Sequence, residues 1–421
     1  MNANSILQSY QHFGVHLGLE RIQQLLQKLD NPHQKVPIIH IAGTNGKGSV
    51  CAYLSSVLAE AGYRVGRYTS PHLIDWTERI CINQKPISTI ALQQCLEQVV
   101  SAAEGNTENP TQFEIITAAA WLYFAEQKAD IAVIETGLGG RLDATNVCET
   151  PLVSVITSIS LDHWQILGPT VADIAGEKAG IIKSKCPVVV GELPESARIV
   201  VEKRIQELDC PAIWVKPAVD LGEGFAEYQL SQNSVKIKYQ LPLLGQIQLM
   251  NSAIALATLH TLQNLGWQIS PTAIADGIAK TQWPGRLQQT TWKNQKILID
   301  GAHNPAAAIA LREYVDHLTS SPSPINWVIG ILATKDCDDI LQALLKKGDR
   351  LYLVPVSDQN SSSPAELAAL AQIICPKLTV CQAFPDLTTA LDAAVAGDNL
   401  TVLCGSLYLV GYFLQQQQSQ F

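Results

Sequence analysis

Seven residues, Gly43-Thr44-Asn45-Gly46-Lys47-Gly48-Ser49, place three glycines, a lysine and a hydroxyl between the apolar run VPIIHIA (36–42) and the helix-period segment SVCAYLSSVLAEAG (49–62). Such a loop lets backbone N–H groups and a helix N-terminus face phosphate oxygens, while the lysine neutralises charge and the hydroxyl is left for Mg²⁺. The chemistry it points to is ATP binding, with Asn45, Gly46, Lys47, Gly48 and Ser49 as phosphate contacts. The strict phosphate-loop spacing is not met, because Ile41 stands at the first glycine position and Gly48 separates Lys47 from Ser49. A glycine-rich turn without a ligand is therefore the competing reading.

Three other apolar runs end on groups of related chemistry. YRVGRYT leads to Ser70, DIAVI to Glu135, and PLVSVITSI to Asp162-His163. In an open parallel sheet all carboxyl ends share one edge, where ligands bind, so Ser70, Glu135 and His163 are expected to meet the loop carrying Ser49. Serine and carboxylate oxygens suit a hard cation that keeps waters, and a histidine is a less usual ligand for it. Any one of these residues alone reads as a loop residue; four strand ends of one kind point to a site. Two rival motifs fail. Gly137-Leu138-Gly139-Gly140-Arg141-Leu142 has Leu142 where a dinucleotide fingerprint needs its third glycine, and Thr334-Lys335-Asp336-Cys337 lacks the final acid of a guanine-reading segment.

The elements that must hold these loops are legible as alternation. Strand-like runs and helical periods alternate from Val36 through PVVVG (187–191), the pattern of a mainly parallel sheet. A small antiparallel β region is expected between Trp214 and Leu249, followed by a helix from NSAIALATLHTLQNLGW. Alternation restarts with KILIDG and ends with NLTVLCGSLYLVGYFL, giving a smaller Rossmann-like α/β domain. The expected division is an ATP-binding domain over 1–290 and a C-terminal domain over 291–421. Ser363, Pro364 and Glu366 have the form of a capped helix start, and the closing QQQQSQF reads as a frayed tail.

Composition sets the outer bounds. A chain of 421 residues with 47% hydrophobic and 16% charged residues has material for more than one packed core. Its apolar runs are too short for a membrane helix, which needs about 20 residues. The N-terminal stretch carries no secretory pattern, so the cytoplasm is the expected location. Ten singly scattered cysteines read as buried thiols, with neither disulfides nor a zinc site expected. A formal charge of −9 offers no general attraction to nucleic acid, so an anionic ligand needs a local device.

Beyond these residue-level readings, the chain resembles the folylpolyglutamate synthase and dihydrofolate synthase family of Mur-type amide ligases. The likeness rests on GTNGKGS (43–49), YTSPHL (68–73), TQFE (111–114), ETGLGGRLDATN (135–146), LDHWQILGPT (161–170), EKAGIIK (177–183), WPGRLQ (283–288), DGAHNP (300–305) and GSLYL (405–409), in family order. It implies an ATP-dependent ligase that phosphorylates a carboxylate and lets the amine of L-glutamate attack the acyl phosphate. It also implies Mg²⁺ held by Ser49, Ser70, Glu135 and His163, and Lys178 carried as a carbamate supporting a second ion. Read alone, Lys178 is an ordinary surface helix lysine. Asn251, Arg286 and Asp300 match the family's ATP contacts, and His303 is expected near the nucleotide or the transferred phosphate. Gln246-Ile247-Gln248 departs from the His-Gln pair that many members carry before the asparagine.

For the acceptor, the resemblance implies dihydropteroate and reduced folates, with Phe113, Glu114, Arg141, Leu142 and Asp143 as substrate contacts. A pterin offers a flat face and a donor-acceptor edge, which suit an aromatic ring and a carboxylate such as Phe113 and Asp143. The competing reading is that both pack or cap the loop. A bifunctional enzyme is favoured, with a monofunctional folylpolyglutamate synthase, another Mur-type amino-acid ligase, or a nucleotide-switched binding protein as alternatives. No nucleic acid or membrane partner is expected, and the family suggests a monomer.

Overall fold

The computed structural model describes residues 2–11, 14, 16–105, 108–229, 236–318, 323–357 and 359–419. The chain divides into two compact units: Met1–Ser160, Trp164–Pro242 and Gln248–Gln282 form the first, and Leu161–His163, Leu243–Ile247 and Trp283–Phe421 the second.

The first unit is built on β1 (Ile38–Ala42), β2 (Val65–Tyr68), β3 (Ile80–Ile82), β4 (Lys85–Pro86), β5 (Ile131–Glu135), β6 (Val153–Ile156), β7 (Val188–Val190) and β8 (Ala212–Trp214). Their order is β4-β3-β2-β5-β1-β6-β7-β8, parallel from β2 across to β8 and antiparallel at the β2–β3 and β3–β4 pairs on one edge. Every residue of β1, β5, β6 and β7 is buried, as a parallel sheet covered on both faces requires, and this is why those segments read as largely apolar runs, with His40 in β1 and Ser154 in β6 as polar exceptions. β1 lies between β5 and β6, so the loops after all three strands open at one edge. The helix Lys47–Glu60 follows β1 and buries ten of its residues. Against it packs the helix Pro271–Ala279, close enough that a Cβ on Gly277 would stand 2.4 Å from the Val57 Cα. A small antiparallel sheet, β9 (Val219–Gly222), β10 (Phe225–Tyr228) and β11 (Ile237–Gln240), appears in the expected region. Part of that sequence reading, 230–235, lies outside the described residues.

The second unit carries β12 (Gln288–Trp292), β13 (Gln295–Ile299), β14 (Asn326–Ile329), β15 (Arg350–Leu353), β16 (Val380–Ala383) and β17 (Thr401–Cys404) in the order β12-β13-β17-β14-β15-β16. Only the β12–β13 pair is antiparallel. Its core centres on Trp327, Leu351, Leu353 and Val402, all fully buried. A buried ion pair joins Arg312 to Asp349 at 2.6 Å, and Asp349 also accepts from the Trp327 indole and the backbone N–H groups of Ile325 and Lys346. Two local expectations need correction. Ser363 takes the N-cap position before Pro364 but makes no side-chain capping bond. The glutamine tail is not frayed over its described part: the last helix runs Leu407–Ser419, and Gln417 donates to the Thr291 carbonyl of β12. Residues 420–421 lie outside the described ones.

Candidate active site

The phosphate loop takes its shape from the end of β6. Thr44 N–H donates to the Ser158 carbonyl at 2.7 Å, Asn45 N–H to the Ser158 hydroxyl at 3.1 Å, and the Thr157 hydroxyl to the Asn45 carbonyl at 2.7 Å. A Cβ on Gly43 would fall 1.9 Å from Thr157 Oγ1, so the first glycine is set by close approach. Gly46 has φ +86°, and a Cβ there would lie 2.4 Å from Asn251 Oδ1. The helix that follows has no side-chain cap, so its first N–H groups are left for an anion. Lys47 Nζ is folded back onto the carbonyls of Gly43 and Thr44 at 3.0 and 3.2 Å and stands 4.0 Å from Glu135 Oε1.

Around this loop the first unit brings together most of the residues singled out from sequence. Ser49 is buried, and its hydroxyl accepts from Gln248 Nε2 at 3.4 Å. Gln248 also accepts from Asn251 Nδ2 at 3.1 Å, so these two helix residues face the loop together at i, i+3 spacing. Glu135, ending β5, is buried and accepts from Ser70 N–H at 3.2 Å. Lys178 is buried, not a surface lysine, and donates to the Gly43 carbonyl at 2.8 Å. Among the described residues no three His, Cys, Asp or Glu side chains cluster to hold a metal ion. The oxygen donors Ser49, Ser70 and Glu135 nonetheless fit a hard cation that keeps waters and phosphate oxygens in its shell.

The turn after β5 is a second constellation. Asp143, fully buried, accepts from the N–H groups of Gly137 and Leu138 at 2.9 and 2.7 Å through one oxygen, and from Thr145 N–H and hydroxyl at 3.0 and 2.6 Å through the other. Burial pushes its carboxyl up, against the pull of these four hydrogen bonds. The Phe113 ring lies against the same turn, so that a Cβ on Gly137 would be 2.3 Å from its tip. Glu114 is engaged at the helix start: Thr111 and Glu114 form a capping box, and the Glu114 carboxylate also takes Arg21 at 3.2 Å. Arg141 pairs with Glu177 at 2.6 Å, and its N–H donates to the Glu177 carbonyl. Leu142 offers its carbonyl to Gly18 N–H at 3.4 Å. The glycine run serves close packing: a Cβ on Gly140 would lie 2.9 Å from the carbonyls of Glu177 and Lys178, and one on Gly180 2.3 Å from the Arg141 Cβ. The 137–143 turn is thus seated on the helix Val171–Ala179, whose Lys178 reaches the phosphate loop.

Within the second unit, His163, Arg286, Asp300 and His303 have their own surroundings. Asp300 is buried and accepts from Leu287 N–H and Ala302 N–H, both at 2.8 Å; burial raises its carboxyl against the opposing charge of Arg286. His303 is neutral, held down to about 4 by burial and by the Lys335 charge, with Nδ1 2.8 Å from the Gly301 carbonyl. His163, at φ +52°, has its Nε2 3.3 Å from Lys335 Nζ. The centre of this group is Asp162, which sequence reading passed over. It accepts from Lys335 Nζ at 2.7 Å and Asn304 Nδ2 at 3.2 Å. Burial alone would raise its carboxyl, but Lys335, His163 and His303 outweigh that and hold it well below the usual range. Gln248, Thr157 and Ser158 were likewise missed. The available signals were the i, i+3 spacing of Gln248 and Asn251 and the position of two hydroxyls directly after β6.

Comparison with known proteins follows the same division. The family model described as the Mur ligase middle domain matches residues 41–259, and the dihydrofolate synthetase C-terminal domain matches residues 284–416. A probable dihydrofolate synthetase of Schizosaccharomyces pombe is 36% identical over 94% of this chain and 97% of the relative. The dihydrofolate synthase/folylpolyglutamate synthase of Bacillus subtilis is 34% identical over 97% of each. Among solved structures, Escherichia coli FolC in complex with DHPP and ADP superposes with a TM-score of 0.88 at 31% identity, covering 100% of this chain and 98% of that one.

Proposed function

This chain belongs to the dihydrofolate synthase/folylpolyglutamate synthase family of Mur-type ligases, and we propose from that premise that it joins L-glutamate to dihydropteroate and to reduced folates at the expense of ATP. The observation that carries this reading is the meeting of two sites on adjacent strands of one sheet. The loop after β1 carries Lys47 and Ser49, and the turn after β5 carries Glu135 and then Asp143, with Phe113 against it.

In the proposed reaction an oxygen of the acceptor carboxylate attacks the γ-phosphorus and ADP leaves. The glutamate nitrogen then attacks the acyl carbon, phosphate departs, and the nitrogen loses its proton. Phosphoryl transfer needs in-line placement and charge neutralisation more than covalent help. Lys47 and the uncapped N–H groups after Gly46 supply fixed positive charge, and Asn251 and Gln248 hold the loop in place. Ser49, Ser70 and Glu135, with His163, are the proposed holders of Mg²⁺, which when bound neutralises charge on the phosphates. Arg286 and Asp300 are assigned to ATP, and His303, neutral at working pH, to the transferring phosphate. Phe113 offers the pterin a stacking face, with Glu114, Arg141, Leu142 and Asp143 shaping the adjoining wall. Lys178 is proposed to be carried as a carbamate. Intact-mass measurement under bicarbonate tests this: the gain of one carbon dioxide on Lys178 is expected, and an unmodified lysine in active enzyme rejects it.

The functional test is ADP release with glutamate plus dihydropteroate, then with tetrahydrofolate. Turnover with both is expected; turnover with the folate alone would make the enzyme monofunctional, and glutamate-independent hydrolysis would make it a switch. The reading also places the enzyme in the cytoplasm as a monomer, which light scattering on the full chain tests for its oligomeric part. No helix among the described residues is long and apolar enough to cross a membrane.

A further inference from the structure

A buried histidine lies behind the pterin turn and has no part in the mechanism above. His40 sits on β1, three residues before Gly43, and is fully buried in an otherwise apolar strand. Its Nε2 is 2.9 Å from Thr145 Oγ1, and Thr145 Oγ1 is 2.6 Å from Asp143 Oδ1. Proton counting fixes the direction of this chain. Asp143 accepts three backbone N–H bonds, as a carboxylate does, so the single Thr145 hydroxyl proton points to Asp143. The Thr145 oxygen is then an acceptor, and His40 must present an Nε2–H. Nδ1, which has no hydrogen-bond partner, is left as a bare lone pair, less costly than a buried orphan N–H. Burial first, and the Lys183 charge second, hold the imidazole down to about 3, so it is neutral at working pH.

We infer that His40 is a positioning residue for acceptor recognition: through the Thr145 hydroxyl it locks the Asp143 carboxylate beneath the Gly137–Leu138 amides and so sets the turn against which Phe113 and the pterin pack. The inference rests on the functional reading above and adds a residue to it. Because His40 and the phosphate loop share β1, a single strand supports both subsites while its histidine affects only one.

The test uses the full-length enzyme. Ring-nitrogen NMR of labelled histidine at neutral pH should show His40 as the neutral Nε2–H tautomer; an Nδ1–H tautomer or an imidazolium overturns the relay. Thr145→Val removes the hydroxyl with little change of shape, and Thr145→Ser restores it. Loss of a hydrogen bond to a charged group predicts a dihydropteroate KM raised about tenfold in Thr145→Val, near normal in Thr145→Ser, with the ATP KM unchanged in both. His40→Leu should raise the same KM, and the double variant His40→Leu/Thr145→Val should add little to either single change. A Thr145→Val enzyme whose dihydropteroate KM stays within about twofold of the parent, or whose ATP KM rises in step, refutes the inference. Should the parent enzyme lack dihydropteroate-dependent turnover, the functional reading fails, and the tautomer measurement still decides the hydrogen-bond chain by itself.

Discussion

Gly137→Ala probes the acceptor turn with one methyl group. Gly137 has no left-handed backbone to strain, so the added Cβ acts only through space, 2.3 Å from Phe113 Cζ and 2.8 and 2.9 Å from the flanking ring carbons. Ordinary contact begins at 3.4 Å, so the ring tip must retreat by about 1.1 Å or the turn must lift from Asp143. Overpacking of this kind costs about 1–3 kcal/mol, and at about 1.4 kcal/mol per decade the dihydropteroate KM should rise about 5- to 150-fold. The phosphate loop lies on another strand end, so the ATP KM should hold. Steady-state ADP release at saturating glutamate, with each substrate varied in turn, measures both constants. Truncating the ring in Gly137→Ala/Phe113→Leu removes the clash along with the stacking face, so relief of strain there should appear as recovered thermal stability without recovered affinity. If Gly137→Ala keeps the parent KM for dihydropteroate, or raises the ATP KM equally, Phe113 is not part of the acceptor wall.

Other expectations follow from the same geometry. Lys47→Ala withdraws a charge from the phosphates and should cost about 10²–10³ in kcat, as loss of one preorganised electrostatic partner does; near-normal turnover would remove Lys47 from the site. Gly46→Ala combines φ +86° with a contact of 2.4 Å to Asn251, and ADP affinity by calorimetry should fall while dihydropteroate binding does not. Asp349→Ala takes from Arg312 its buried partner, leaving it only the more exposed Asp316 at 2.7 Å, and should destabilise the second unit by about 3–5 kcal/mol in urea unfolding; a change under about 1 kcal/mol would contradict the buried-pair reading. Stability should also fall in acid. The folded state holds His40 near 3 while the unfolded chain protonates near 6.5, so the unfolded state binds more protons between these values. That contribution is intact above pH 6.5, amounts to a loss of about 2 kcal/mol at pH 5, and levels off below about pH 3. A flat unfolding free energy between pH 7 and 5 would contradict it.

The sheet of the first unit was legible because β1, β5, β6 and β7 are buried on both faces and therefore largely apolar, with His40 and Ser154 the polar residues inside them. β16, an edge strand only half covered, carries no such run and went unread, as did the short helices Cys337–Leu344 and Leu387–Ala394. The phosphate loop announced itself through residue types that few structural roles require together. Lys178 did not, since a lysine on a short helix reads as solvated; its burial goes with its bond to the distant Gly43 carbonyl and with the close seating of its helix against Gly140, neither of which is visible in the sequence. Asp162, Lys335, His40 and Thr145 are far apart in sequence, and no spacing rule links them. Glu114 shows the opposite case, where the four-residue capping pattern was present in the sequence and its carboxylate is in fact engaged there, together with Arg21.

The account depends on an acceptor carboxylate being phosphorylated at the sheet edge formed by the loops after β1 and β5. Dihydropteroate labelled with heavy oxygen in its carboxyl group tests this directly. Turnover with ATP and glutamate should transfer one labelled oxygen into each inorganic phosphate released, and Lys47→Ala should reduce product and labelled phosphate together. Product formed with unlabelled phosphate would mean that the carboxylate never took the γ-phosphoryl group, contradicting the proposed chemistry.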